Sequence, residues 1–345
     1  MEQSNIDKTL WRPTNPHDRF CRRTIFHPLY APDFLKSYGD SVLKDCVDLD
    51  HLQEAPTTHL SDELKELIMD ASLTTRLLNT NTMSEVLMHL EHKSRPSRTV
   101  ALQLLTEAAM SLSFRWLLSN RPESGNFVPP IPLMIVIYNG SEDWDGEIWF
   151  QDLFPDLPEK LREFVPQFRI IFINLRRFKY GQLPGRSETQ AMVESLMRAT
   201  DGTFIEQLPS VLQHVADAGQ NEHLRLDMTR TISSYCTWAA HATAEQINRA
   251  ITTVFKGQEG INMAEAVQKS IIQEGIEIGE ARGEARGQLK EKINDILTVL
   301  QTRCGQVPSA ISEELSSRTD LVALQSLLVV ASQCNSLDEF AKALK

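Results

Sequence analysis

The chain has 345 residues, of which 41% are hydrophobic and 23% are charged, proportions that are ordinary for a soluble globular protein. This length predicts two or three domains. The net charge of −11 argues against a uniformly basic surface for nucleic acid, although it leaves room for a local basic cleft.

No apolar run approaches the roughly 18 residues that a membrane-spanning helix needs, and residues 1–20 lack the apolar segment of a signal peptide. The five cysteines are far apart and form no CxxC pair, so we expect reduced thiols and neither disulfides nor a zinc site. These features predict a cytoplasmic protein.

The first two thirds of the chain predict an α/β core with a mixed sheet flanked by helices. Apolar residues at helical spacing in "APDFLKSYGDSVLKDCVDL" predict one amphipathic helix. "LKELIMDASLTTRLLN" and "SEVLMHLEHK" flank the turn-like "NTNT" and predict a β-hairpin. "SRTVALQLLTEAAMSLSFRWLLSN" predicts a long helix with Ser97 as its N-cap. "IPLMIVIYNG" and "FRIIFINL" are apolar runs typical of strands buried on both faces, and helical patterns follow from about residue 186.

A glycine repeat marks a change in composition after residue 255. Gly275, Gly279, Gly283 and Gly287 recur every four residues, which on a helix forms a slowly wrapping stripe of small side chains. Such a stripe would allow a second helix to approach closely, whereas the alternative is a solvated linker helix that its glycines weaken. We expect one long helix over residues 264–302 that pairs two chains in a homodimer.

The remaining sequence predicts a small helical module with breaks at "CGQVPS", "SSRTD" and "CNSLDE". The predicted domains are therefore a core of residues 1–255, a linker helix of residues 256–290 and a C-terminal module of residues 291–345.

Charged residues end the second strand of the predicted hairpin. Glu91 and Lys93 lie two residues apart and therefore face the same side of a strand, and Asp70 can lie across the hairpin from Glu91. Two converging carboxylates repel each other unless a divalent cation lies between them, and Mg²⁺ prefers such oxygen ligands. A nearby lysine can orient a water or stabilise charge on a phosphate. Because the pattern is short, a solvated ion pair at Glu91 and Lys93, with Asp70 in a turn, is the alternative.

Several further motifs occur in a fixed order along the chain: "NPHDRF", "DFLKSY", "LSDELKELIMDASL", "HLEHKS" and "LMIVIYNGSEDW". Together with the glycine repeat and "LQTRCGQVPSAISEEL", they resemble the Rpn family of recombination-promoting nucleases, also described as YhgA-like transposases. This family belongs to the PD-(D/E)XK nuclease superfamily. The resemblance covers nearly the full chain and implies a PD-(D/E)XK core, followed by a long helix and a small helical module.

The resemblance also implies roles for residues at the strand end. Asp70 and Glu91 match the family's acidic metal ligands, and the backbone carbonyl of His92 would complete the site for Mg²⁺ or another divalent cation. Lys93 stands where many members carry glutamine and would position the attacking water. Glu63, in the acidic stretch before Asp70, would be an accessory ligand by the same comparison.

One helix departs from the family pattern. Gln103 and Glu107 occupy positions where relatives usually carry arginine and tyrosine, which puts a phosphate-binding role for that helix in doubt.

Basic residues follow two of the predicted strands and are candidates for DNA contact: Arg95, Arg98, Arg176, Arg177 and Lys179. The last three are interleaved with Phe178 and Tyr180 in "NLRRFKYG", a pattern that suits phosphate contact and base stacking and equally suits a solvated loop. Asn139 and Gly140 end another strand, either as a turn with positive φ or as a rim of the active site.

Taken with the resemblance, these residues predict a Mg²⁺-dependent DNA endonuclease that hydrolyses phosphodiester bonds and is linked to recombination or mobile elements. The first alternative is a catalytically inactive nuclease fold that serves as a DNA-binding or protein-interaction scaffold, which the acidic net charge favours. The second is a nuclease that acts on RNA or single strands.

Overall fold

The computed structural model describes residues 15–56, 58–60, 66–68, 70–78, 84–119, 127–144, 148–219 and 221–344. Contacts between Cα atoms divide the chain into two compact units, one within residues 12–271 and the other containing residues 272–345.

Three short helices open the first unit: α1 (Pro16–Arg23), α2 (Ala31–Tyr38) and α3 (Ser41–Cys46). The single helix predicted for residues 31–49 was wrong, because the chain breaks at Gly39. Asp40 has extended backbone angles there and its side chain accepts a hydrogen bond from Val42 N, so it caps a new helix.

A six-stranded mixed sheet has the strand order β1-β4-β5-β6-β8-β7. Its strands are β1 (Gln53–Glu54), β4 (Ala71–Arg76), β5 (Glu85–Lys93), β6 (Ile131–Tyr138), β7 (Ile148–Trp149) and β8 (Arg169–Asn174). The strands β2 (Thr58–Leu60) and β3 (Glu66–Ile68) pair separately. The predicted α/β class with a mixed sheet is confirmed.

The predicted hairpin is the antiparallel pair β4 and β5. Strands β5, β6 and β8 run parallel to one another, with Lys93 opposite Tyr138 and Tyr138 opposite Asn174. The carboxyl ends of three neighbouring strands therefore meet at one edge of the sheet.

Helix α4 (Val100–Leu118) covers one face of this sheet, where Val100, Leu104 and Ala108 belong to the same buried cluster as Met134 and Val136. The predicted N-cap at Ser97 was wrong. Thr99 is the N-cap and makes no side-chain capping bond. The helix begins at Val100, which packs in the buried cluster, so apolar packing rather than a capping side chain sets its start.

Helices α5 (Ser187–Asp201), α6 (Phe204–Asp217), α7 (Glu222–Ala240) and α8 (Ala244–Val254) complete the first unit. The contacts of α7 include α1, α5 and α6. Gly202 ends α5 with a φ of 78°, a left-handed conformation that glycine adopts without strain.

The long helix α9 covers Gly257–Cys304, and α10 (Ser309–Ser317), α11 (Leu321–Gln333) and α12 (Leu337–Leu344) follow it. The three breaks lie where the sequence predicts them. Ile296, Leu300, Leu315, Leu324 and Phe340 are members of one buried cluster in this region. Among the described residues, no helix combines the length and apolarity needed to cross a bilayer.

Candidate active site

The antiparallel pairing of β4 and β5 places Asp70 opposite Glu91. Ala71 pairs with Leu90 in the antiparallel register, so the next pair toward the sheet edge is Asp70 and Glu91. The Asp70 carboxylate accepts a hydrogen bond of 2.9 Å from the backbone N–H of His92. The Arg22 guanidinium lies 3.6 Å from the other oxygen of Asp70. The structure therefore places Asp70 beside the end of β5, as the sequence predicts.

Glu91 and Lys93 lie on the face of β5 that α4 covers. Lys93 Nζ donates to Glu91 Oε1 at 2.6 Å and to Gln103 Oε1 at 3.0 Å. Gln103 Nε2 donates to Glu91 Oε1 at 2.8 Å and to Glu107 Oε1 at 2.9 Å. One amide side chain from α4 thus joins the predicted Glu91–Lys93 pair to a second, buried glutamate.

The carboxylates at this site lie close enough to disturb one another's ionisation. Burial, and after it the charge of Glu91, raises the pKa of Asp70 to about 6. The same two causes, in the same order, raise the pKa of Glu107 to about 7. Ionised Glu91 therefore opposes the ionisation of both neighbours, although Lys93 lies beside Glu91 and Arg22 beside Asp70, and a cation bound between the carboxylates would reduce this repulsion.

His92 points its side chain to the opposite face of β5. Its ring nitrogens lie 3.0 Å from Asp18 Oδ1 and 2.8 Å from Asn139 Oδ1. Asn139 follows β6 directly, and its backbone N–H donates to Lys93 O at 3.3 Å. The backbone N–H and C=O of one strand residue point toward the same edge, so the carbonyl of His92 faces the Asp70 side as its N–H does.

The basic candidates for DNA contact are exposed. Arg95 and Arg98 follow β5, whereas Arg176, Arg177 and Lys179 follow β8, so all five come after strands that end at one edge. Arg176 already has partners within the protein: its guanidinium donates a hydrogen bond to Glu142 O and lies 2.9 Å from Asp143 Oδ1.

The aromatic residues between them are engaged by other side chains, although Tyr180 is exposed and Phe178 only partly buried. Phe178 contacts the Tyr38 ring edge-on, with 4.7 Å between centroids. The Arg198 guanidinium lies 3.5 Å above the Tyr180 ring, and the Tyr180 hydroxyl donates to Asp201 at 2.5 Å. These contacts favour phosphate contact by the basic residues over base stacking by the aromatic ones.

The available ligands fit a hard cation. Within the described part of the chain, no three His, Cys, Asp or Glu side chains form a group that could hold a metal ion. Mg²⁺, however, often takes only one or two carboxylates and completes its shell with waters and substrate phosphate. Asp70, Glu91 and the His92 carbonyl offer oxygen atoms alone, which suits that ion. The predicted accessory ligand, Glu63, lies outside the described residues.

Sequence reasoning missed the participation of Gln103, Glu107 and Asp18 in the site, and it gave Asn139 only as one of two interpretations, a turn or a rim of the active site. Gln103 and Glu107 were recognised only as departures from the family pattern. Their spacing of four residues, with one carboxylate inside the apolar run "LLTEAAM", was the signal available, since a buried glutamate needs partners.

The prediction of a positive φ at Gly140 was wrong, because Gly140 is not among the glycines with positive φ in the described residues. A Cβ at this position would overlap the backbone carbonyl of Ser94 and lie 2.6 Å from Cε2 of Tyr138. Glycine is required here because β5 and the end of β6 approach each other closely.

No curated protein and no solved structure matched this chain. The sequence model of one family, described as "Putative transposase, YhgA-like", matches residues 15–223, which is more than half of the chain and includes the whole candidate site. The chain therefore belongs to the family of YhgA-like transposases.

Proposed function

We propose that this protein is a metal-dependent DNA endonuclease of the PD-(D/E)XK type that acts in recombination or on mobile elements. The observation that carries the proposal is the placement of Asp70 opposite Glu91 in the hairpin register, with Lys93 bonded to Glu91 at the carboxyl end of β5.

The fold supports the PD-(D/E)XK assignment. An antiparallel hairpin supplies both acidic residues, parallel strands extend the sheet beyond it, and α4 packs on the face that carries Glu91. Membership of a transposase family supports DNA as the substrate class.

Asp70, Glu91 and the backbone carbonyl of His92 would hold Mg²⁺ in this proposal. When bound, Mg²⁺ would supply positive charge that activates a water and stabilises the charge developing on the phosphate.

The surrounding side chains hold the reacting groups in place. Lys93 Nζ is fixed between Glu91 and Gln103, where it can donate a hydrogen bond to a water or to a phosphate oxygen. Gln103 fixes Glu91 through its amide and keeps that carboxylate in one orientation. Glu107, whose raised pKa leaves it partly protonated near neutral pH, accepts a hydrogen bond from the same Gln103 amide that donates to Glu91.

The basic residues beyond β5 and β8 would hold the DNA backbone. Arg95, Arg98, Arg177 and Lys179 are exposed, and phosphate contacts require only such a local cluster. The acidic net charge of the chain is therefore compatible with binding at this one edge.

One observation favours the non-catalytic scaffold. Lys93 already neutralises Glu91 through a bond of 2.6 Å, and within the described residues there is no larger group of metal ligands. A scaffold would bind DNA at the same edge and would leave its phosphodiester bonds intact.

Incubation of supercoiled plasmid with the purified protein, with and without Mg²⁺, distinguishes the two functions. The endonuclease converts plasmid to nicked or linear DNA only when Mg²⁺ is present. Equal amounts of single-stranded DNA and RNA in parallel reactions test the substrate. A protein that retards plasmid in a gel and never cuts it would establish the scaffold instead.

A further inference from the structure

The side chain of His92 is buried between two acceptors. Only 2% of it is exposed, and its ring nitrogens face the Asp18 carboxylate on α1 and the Asn139 carboxamide after β6. The orientation of Asn139 is fixed, because its Nδ2 donates to Leu196 O and to Thr200 Oγ1, both at 3.1 Å. Its Oδ1 must therefore face His92.

Each ring nitrogen of His92 lies within hydrogen-bond distance of one of these oxygens. The ring is thus held at both ends, by α1 on one side and, through Asn139, by α5 on the other. A ring bonded at both nitrogens cannot rotate without losing one bond, so the Cα of His92 is held in one position as well.

The backbone of His92 is part of the candidate metal site. Its N–H donates to the Asp70 carboxylate, its neighbour along the strand is Glu91, and its C=O faces the same edge as its N–H. Fixing the His92 ring therefore fixes the hydrogen bond that orients Asp70.

Helix α1 is itself anchored. His17 Nδ1 lies 2.7 Å from the Tyr235 hydroxyl on α7, and the Phe20 ring stacks on the Tyr235 ring with 4.1 Å between centroids. The rings of His17 and His92 also stack, at 5.9 Å. The segment "PHDRF" thus presents Asp18 from a helix that Tyr235 holds in place.

We infer that Asp18 is a positioning residue for the cation site: it orients Asp70 and the His92 carbonyl through the His92 ring, and Asn139 and Thr200 support the ring from the other side. This inference rests on the proposed function, since it requires that Asp70 bind a cation. Partners that orient metal ligands from outside the coordination shell typically change metal affinity by about 10–100-fold when they are removed.

Isothermal titration calorimetry with Mn²⁺ tests this without any DNA cleavage. The candidate site is defined as the binding that the wild type shows and that Asp70→Asn abolishes. Asp18→Asn keeps the shape of the side chain and removes its charge. We expect it to weaken Mn²⁺ binding at that site by about tenfold or more.

Asp33→Asn is the matched control. Asp33 has a similarly exposed side chain, 20% against 24% for Asp18, and its carboxylate accepts hydrogen bonds from Arg186 N and Thr189 Oγ1. It stabilises the start of α5 and makes no contact with His92. We expect Asp33→Asn to bind Mn²⁺ as the wild type does, even where thermal denaturation shows that it loses as much stability as Asp18→Asn.

Thr200→Val provides a second route if Asp18→Asn does not fold. It removes one neutral hydrogen bond to Asn139 and should weaken Mn²⁺ binding severalfold, less than loss of the charged acceptor. Wild-type affinity in every folded variant of Asp18 and Thr200 would overturn the positioning role and leave the proposed function intact. A wild type with no Asp70-dependent Mn²⁺ site would overturn both.

Discussion

The buried Glu107 gives this site a pH dependence whose sign follows from its surroundings. Its side chain is 1% exposed, and burial followed by the charge of Glu91 raises its pKa from 4.5 to about 7. A carboxyl with a raised pKa stabilises the fold fully below its unfolded pKa, and this contribution is lost as the pH rises through the folded pKa. One pKa unit corresponds to about 1.36 kcal/mol, so ionised Glu107 costs the folded state at most roughly 3 kcal/mol.

Glu107→Gln removes this ionisation and keeps an oxygen that can accept from Gln103. We expect the variant and the wild type to be similarly stable at about pH 4, below the unfolded pKa, and the variant to be more stable by roughly 1–3 kcal/mol at about pH 8.5. Urea denaturation in EDTA measures this. Tryptophan fluorescence is a suitable signal, because Trp116, Trp144, Trp149 and Trp238 lie in the same compact unit as Glu107.

Glu194→Gln is a control of opposite sign. Glu194 is 2% exposed, and although its burial acts to raise its pKa, hydrogen bonds from His214 and Arg198 outweigh it and lower the pKa. Its contribution to stability is present above the unfolded pKa and is lost as the pH falls, so Glu194→Gln should destabilise the protein at about pH 8.5. A Glu107→Gln variant that is destabilised at high pH as Glu194→Gln is would refute the electrostatic reasoning.

Three further predictions concern other parts of the molecule. Lys93→Ala should keep the fold and reduce plasmid nicking about a hundredfold, as expected for a charge that acts at the transition state, and an unchanged nicking rate would remove Lys93 from the mechanism. Gly140→Ala should lower the free energy of unfolding by about 1–3 kcal/mol, because the new methyl group overlaps Ser94 O; a variant as stable as the wild type in urea would contradict this. Light scattering at micromolar concentration should give a dimer mass if residues 264–302 pair two chains, and Gly283→Leu, where a side chain meets open space within the chain, should restore the monomer; a monomeric wild type would end this hypothesis.

The sequence predicted the elements whose signal is local. The stretches "SEVLMHLEHK" and "IPLMIVIY" predicted strands that the structure contains, and Asp70 faces Glu91 because the antiparallel register pairs Ala71 with Leu90. The breaks after Cys304 were predictable because glycine, proline and serine mark them.

Features that depend on contacts distant in sequence were not predictable in the same way. Gln103 reaches Glu91 only because packing fixes the rotation of α4 against the sheet, and periodicity alone does not supply that rotation. Asp18 lies 74 positions from His92, so one sequence gave no reason to pair them. The domain limits predicted at residues 255 and 290 stay predictions; α9 begins at Gly257 and passes through the second of them as one helix.

The central claim is that Asp70 and Glu91 cut DNA with the help of a divalent cation. The most direct measurement compares the nicking of supercoiled plasmid by the wild type, Glu91→Gln and Asp33→Asn, in Mg²⁺ and in EDTA. We expect nicking by the wild type and Asp33→Asn in Mg²⁺ alone, and a loss of about a hundredfold or more in Glu91→Gln. Nicking by Glu91→Gln at the wild-type rate, or wild-type nicking that persists in EDTA, would contradict the claim.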